Sequence, residues 1–408
     1  MHALTRSHQA NKALSALVQQ GLTEGQQQLA DTVRQLICKL APQWFEKMDF
    51  SNDHIFLEPL LIAWLTHKSP AIPLEQLLCG LIKPDCRPFS VSARTDHEGT
   101  AFMAGLGCIQ TSLPNTPLTI HMGMDNSVCH VSRGRHNPSF AFYPVNSMQI
   151  HGITVFTHIN PLLQRFFEAE AGAPEPPLDD GFAHMDAIRT ALELIAAFDP
   201  EVHQWMTGAT RAIQLYKAPL PNSFATLSAH GIAFCNVKED SDVIFFADDL
   251  AHQCGHIIFN AVTLEKRDFI AIDPHTPLRD LTHEQDEGRD VYSAFHGLFT
   301  YTLITRVLNR LMHYNDLSAS QRHHCLGRIA FYLYKFYLDL GKLDQPGLLT
   351  ARGLELYQLF ATMYEALRSD YVHAIKPLKL DNQPYVFSQR RFLQANPVRP
   401  AQVAGLSS

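Results

Sequence analysis

Two histidines four residues apart, in His252-Gln253-Cys254-Gly255-His256, are the first residues in this chain whose types and spacing could do chemistry. On a helix, side chains at i and i+4 share a face, with Cβ atoms about 5–6 Å apart. That spacing suits two imidazole ligands of one metal ion. With 22 histidines among 408 residues, about one such pair is expected from composition alone, so context must give it meaning. Apolar residues surround the pair: Val243-Ile-Phe-Phe246 before it and Ile257-Ile-Phe259 after it. An unpaired polar group in such surroundings costs on the order of 1–3 kcal/mol, so buried imidazoles there need partners. A third histidine, His296, sits in Ser293-Ala-Phe-His-Gly-Leu-Phe299, a second apolar helical pattern. Its neighbour Gly297 allows close helix approach. Three imidazoles from two packed helices would form a facial three-nitrogen site with open positions, suited to ferrous iron as well as zinc.

Hydrolysis is a poorer fit. In H-E-x-x-H zinc proteases the Glu beside the first His acts as general base on metal-bound water. Gln253 holds that place here, and an amide cannot take up a proton at neutral pH. The longer metzincin pattern fails as well, since its third His would fall at Val262 and its glycine at Phe259. Glu284 and Glu287 remain as downstream carboxylates. A site that activates a co-substrate carrying a carboxylate would need a cation, and arginine pairs with a carboxylate through two parallel hydrogen bonds. Arg289, seven residues before His296, and Arg306, ten after it, are the candidates. For each the bland alternative is an ion pair with a neighbouring acid.

These residues must be positioned by helices. Asp248 can cap a helix from about Asp249 to Leu264. A second should run from about Asp290 to Tyr314, followed by amphipathic helices at Ser318–Leu340 and Thr350–Asp370. Upstream, helices are expected over Glu24–Lys47, Phe56–Leu65, His184–Phe198 and Pro200–Ala212. Strands are expected at Leu118–Met122, Phe140–Tyr143 and Gly152–Phe156, with one bent strand or two over Ser223–Cys235. Pro174, Pro176 and Pro177 mark a linker near 171–181. The fold class is α+β, mainly α-helical, in three consecutive regions: helical 1–98, strand-rich 99–170, and a mainly helical metal-site region 171–408. Cys254 reads as a packed thiol, and His323-His324 as a pair on different, exposed faces. His121, His130 and His136 lie in the strand-rich region and would meet in a second site only if the turns between them allow it. The N-terminal third carries no assignable motif.

Composition excludes several classes. Hydrophobic residues make up 46% and charged residues 18%, enough apolar material for a sizeable core. The net charge is −7 with no basic stripe, which argues against nucleic acid as a partner. No run reaches the ~18 apolar residues of a membrane span. The eight cysteines include no C-x-x-C, and they are sparse for a disulfide framework. A cytoplasmic protein is the expectation, with its oligomeric state unreadable.

At these residues the chain resembles the H-E-x-x-H-motif peptide-modification proteins, and among them the 2-oxoglutarate-dependent, iron-containing peptide β-hydroxylases. The resemblance rests on a strand-like Ser223–Asn236, the motif Asp248-Asp-Leu-Ala-His-Gln-Cys-Gly-His256, and Arg289-Asp-Val-Tyr-Ser-Ala-Phe-His-Gly297. It covers roughly His184 to Tyr314. It implies Fe(II) held by His252, His256 and His296, 2-oxoglutarate held with the help of Arg289 or Arg306, O₂ as oxidant, and hydroxylation of a β-carbon in a peptide or protein substrate, such as a ribosomally made precursor peptide. The departure is Gln253, which stands at the family's catalytic position and would act only through hydrogen bonds around the ligands. A zinc-dependent hydrolase and a catalytically silent peptide-binding protein are the competing expectations.

Overall fold

A computed structural model describes residues 2–67, 72–125, 127–170, 174–175, 182–220, 222–238 and 241–398. The architecture is α+β and mainly helical, 56% by residue. The longer helices are α1 (His2–Leu40), α2 (Pro59–His67), α3 (Phe182–Phe198), α4 (Pro200–Ala209), α5 (Val243–Val262), α6 (Val291–Met312), α7 (Ala319–Leu343) and α8 (Ala351–Ile375). The strands are β1 (Phe89–Arg94), β2 (Thr100–Met103), β3 (Gly107–Thr111), β4 (Pro117–Met122), β5 (Val128–Ser132), β6 (Phe140–Pro144), β7 (Gln149–Ile150), β8 (Ile153–Phe156), β9 (Ala212–Tyr216) and β10 (Ile232–Asn236). Among the described residues no helix is long and apolar enough to cross a membrane.

The chain divides into two compact units, each discontinuous in sequence, where the sequence suggests three consecutive regions. One comprises 1–23, 183–206 and 239–408, the other 24–182 and 207–238. Most of the 171–181 linker expectation lies outside the described residues.

The second unit carries the sheets. Strands β1-β4-β5 and β2-β3-β6 form two antiparallel sheets, and β10-β9-β8-β7 forms a mixed one. Register follows burial: Val91 pairs with Ile120, and Ile120 with Val131, so the inward residues of three strands meet in one core with Met103 and Ile109. Strand β9 lies between parallel neighbours β8 and β10 and is buried along its whole length, as parallel strands covered on both faces require. A clasp joins the turn between β1 and β2 to the segment after β8. The His158 ring lies 2.6 Å from Asp96 Oδ2 through Nε2 and 2.8 Å from Glu98 Oε2 through Nδ1. His121 and His130 do meet across the β4–β5 ladder, as parallel rings with centres 4.0 Å apart. His136 lies in a turn paired with Arg133 instead.

The first unit is helical. Helix α6 packs on both α5 and α7, and α8 closes the far side. Phe259 of α5 stacks on Phe299 of α6 at 4.7 Å, and Phe360 of α8 lies at 6.1–6.3 Å from Phe295 and both of these rings. The first half of α1 belongs here. Ala10, Leu14, Val18 and Leu22 are buried at four-residue spacing, and Ser15 Oγ donates to Glu201 Oε2 at 2.7 Å.

Candidate metal centre

Helix α5 starts six residues earlier than expected, and its cap differs. Asp242 accepts from Phe245 N–H at 2.8 Å and opens the helix at Val243. Asp248 therefore lies inside the helix, fully buried. Its carboxylate bonds the guanidinium of Arg328 on α7 and the Tyr332 hydroxyl. Arg328 Nε in turn meets His324 Nε2 at 2.8 Å, and His324 Nδ1 faces Asp242 at 3.4 Å. His324 is thus buried rather than on the surface, because it completes this chain from the cap of α5 to the middle of α7.

One turn after Asp248 come the ligand candidates. The His252 and His256 ring centres are 4.8 Å apart, and His256 and His296 are 4.7 Å apart. The structure therefore brings all three together, with His256 adjacent to both others. Helix α6 begins as expected, with Asp290 accepting from Ser293 N–H at 2.7 Å. A Cβ on Gly255 would stand 3.4 Å from Thr300 Cγ2 of α6, and one on Gly297 would stand 3.4 Å from Asp339 Oδ2 of α7, ordinary contact distances, so the approach does not depend on either glycine. Phe259 and Tyr292 wall His296 at 5.1 and 5.4 Å, and Tyr332 stands 6.3 Å from His252.

Burial governs the electrostatics. It pushes His256 down to about 4. It pushes His252 and His296 further below the usual imidazole range, with the neighbouring imidazoles adding to the effect. All three rings are neutral at pH 7 and keep a lone pair to offer. The Nε2 of His296 is buried with no hydrogen-bond partner. A buried imidazole nitrogen left over in this way calls for an explanation, and a bound ion is one.

The donor types, three neutral nitrogens, suit a metal ion, and the arrangement fits one in part. Imidazoles sharing one ion at about 2.1 Å have ring centres roughly 4.5–5.3 Å apart; the His252–His256 and His256–His296 pairs fall in that range. Among the described residues no group of three or more His, Cys, Asp or Glu side chains is arranged to hold a metal ion.

The chain matches no protein-family model and is similar to no curated protein.

The other expected residues are placed differently from the imidazoles. Gln253 is buried and donates through Nε2 to Asp249 Oδ1 at 3.2 Å, its Oε1 left without a partner. Arg289 spends four donors on acids. Nε and Nη2 bond Glu287 at 2.9 and 2.8 Å, and Nη1 and Nη2 bond Asp339 at 2.7 Å each. Arg306 bonds Asp199 at 2.6 and 2.8 Å and Glu201 at 2.8 Å. It lies ten residues beyond His296 on α6, about 15 Å along the axis, so it belongs to a helix-pinning ion cluster. Each arginine follows the bland alternative, because acids that are distant in sequence or hidden in loops reach it first.

One residue that sequence reasoning missed is Lys335 on α7, three residues past Tyr332. Its Nζ donates to the Tyr385 carbonyl at 3.1 Å and stands 3.9 Å from the Tyr385 ring. Among the described residues it makes no ion pair with a carboxylate. Burial, then the charge of Arg289, pushes its amine down to about 8. Its field also reaches His252. Its only sequence signal is the three-residue spacing from Tyr332 on an amphipathic helix.

Proposed function

We propose that this chain is a non-haem iron oxygenase that uses 2-oxoglutarate and O₂ to hydroxylate a β-carbon in a peptide or protein side chain. The observation that carries the reading is the trio of neutral imidazoles on α5 and α6, His252 and His256 half-buried and His296 buried, with the Nε2 of His296 left without a hydrogen-bond partner. His252, His256 and His296 would hold Fe(II). Bound there with 2-oxoglutarate, the iron supplies the oxidising power to break a C–H bond. The chain's own residues bind, orient and exclude water. Phe259, Tyr292 and Tyr332 wall the imidazoles. The co-substrate's free carboxylate needs a cation. Lys335, covered by Tyr385 but in no ion pair with a carboxylate among the described residues, is freer for this than Arg289, whose donors are committed to Glu287 and Asp339. No step calls for a carboxylate base beside His252, so Gln253 is compatible with the chemistry.

The test is an anaerobic titration with Fe(II) and then 2-oxoglutarate, followed by visible absorption, on the wild type and on His296→Ala. A weak charge-transfer band in the wild type that is lost in the variant is expected. Tight zinc binding with no band would overturn the oxygenase reading and favour a hydrolase.

A further inference from the structure

On the outer side of α7 two cavities adjoin, of about 390 and 590 Å³, sharing Glu284, Leu338 and Lys342 in their walls. Tyr334, Tyr337 and Leu338 follow one another at i, i+3 and i+4 along this face. Tyr334 and Tyr337 are each 61% exposed, and Tyr385 across the inner cavity is 66% exposed. Tyr357 and Tyr364 of α8 line the outer cavity. Large aromatic side chains rarely stand in solvent as a contiguous stripe unless something covers them.

The charge around this stripe is one-sided. Six carboxylates line the two cavities (Glu284, Asp286, Glu287, Asp339, Asp344 and Glu365) against three cations, Arg289, Lys335 and Lys342. The cations are themselves engaged. Arg289 is bonded to Glu287 and Asp339, Lys342 lies 2.7 Å from both Glu284 and Glu287, and Lys335 is covered by Tyr385. Glu365 is paired with Arg368 at 2.8 Å, so six carboxylates face four cations and the net is two negative charges on a tyrosine-lined surface. Tyrosine faces attract guanidinium and ammonium groups, and carboxylates pair with them through charge-assisted hydrogen bonds. The inner end of the groove reaches Asp339, whose Oδ2 faces Gly297 beside His296.

We infer that this groove docks a cationic segment of a polypeptide, with arginine or lysine alternating with apolar residues, and delivers the attached chain toward the imidazole site. The inference rests on the proposed reading only for the substrate being a polypeptide. The groove itself is tested without turnover.

The probes are two fluorescein-labelled decapeptides, alternating Arg-Leu and alternating Glu-Leu, titrated with the full chain by fluorescence anisotropy at low and high salt. The Arg-Leu peptide should bind at least tenfold tighter and weaken in salt. Tyr334→Ser combined with Tyr337→Ser, and separately Glu284→Lys combined with Asp344→Lys, should each lose at least tenfold. Equal binding of both peptides, or unchanged binding in both variants, overturns the inference. So does sedimentation showing a dimer that the tyrosine variant dissolves, because the occupant would then be a second copy. The iron titration on the same variants separates the two ideas. Peptide binding lost with the band intact concerns the groove. A band absent from the wild type with peptide binding intact overturns only the oxygenase reading.

Discussion

Replacing Arg328 with methionine should destabilise the helical unit severely, by an amount the structure bounds. Arg328 and Asp248 are buried partners, with side chains 7% and 1% exposed. Methionine keeps most of the aliphatic volume beside Phe387, so cavity formation contributes little. The dominant effect is a carboxylate left buried without its counter-charge, which costs about 3–5 kcal/mol. Against a usual total of about 5–15 kcal/mol, that is about a fifth of the stability or more. Urea unfolding followed by far-UV circular dichroism should show the midpoint falling by roughly 1–2.5 M, for slopes near 2–3 kcal/mol/M. The pair itself is not a net source of stability, since burial raises the Asp248 carboxyl despite Arg328. Converting both partners, Arg328→Met with Asp248→Leu, should therefore recover most of the loss. The sign with pH also follows. A carboxyl raised in the folded state favours folding as pH falls, so the deficit of Arg328→Met should shrink toward pH 5. A loss under 1 kcal/mol, or a double variant no better than the single one, would refute the reasoning.

Two further outcomes are expected. Lys335→Met should weaken 2-oxoglutarate binding to the iron-loaded chain at least tenfold by calorimetry, while Arg289→Met changes it less than threefold; the reverse order would return the anchoring role to Arg289. The His158 clasp should be pH-dependent. Burial pushes this imidazole down, but Asp96 and Glu98 outweigh it and raise it overall, while the bond from His158 helps hold Asp96 below the usual carboxylate range against its own burial. A raised histidine contributes fully below about 6.5 and is lost as pH rises through its folded value, and a lowered aspartate contributes above about 4 and is lost as pH falls through its own. Amide exchange over Asp96–Thr100 should accordingly be slowest near pH 4–6.5 and quicken toward pH 8.5 beyond the intrinsic rate, and His158→Gln should abolish that excess; an identical profile in the variant would sink the idea.

Much of the site could be read from the chain because it is local. His252 and His256 lie on one helical face by spacing, and Asp290 caps the second apolar helix, which sets His296 beside them. The capping residues Asp290, Ser318 and Thr350 open their helices as the pattern suggests. Reading fails where a distant partner decides. Asp248 looks like a cap, but Asp242 lies one apolar turn earlier and Arg328, eighty residues on, can neutralise the buried acid. Strand β9 follows α4 so closely that its apolar run, Ala212-Ile-Gln-Leu-Tyr216, extends the helical pattern, and only its parallel neighbours make it a strand. Strand β1 falls within a region read as helical, because its alternation becomes visible only against β4. Arg289, Arg306 and Lys335 cannot be ranked from sequence, since the ranking depends on which acids reach them first.

The division of the chain has a consequence for its synthesis. The peptide passes between the two units at 23/24, 182/183, 206/207 and 238/239. The leading segment of α1 belongs with 183–206 and with the helices made from residue 239 onward, so as the nascent chain emerges its apolar stripe, Ala10 to Leu22, waits until residue 183 and beyond before the partners of its own unit begin to appear. The sheet-bearing unit likewise lacks β9 and β10 until residue 236 is out. Neither unit corresponds to a stretch that could be cut out as one continuous fragment. A truncation at any of the four crossings would separate segments that belong to one unit.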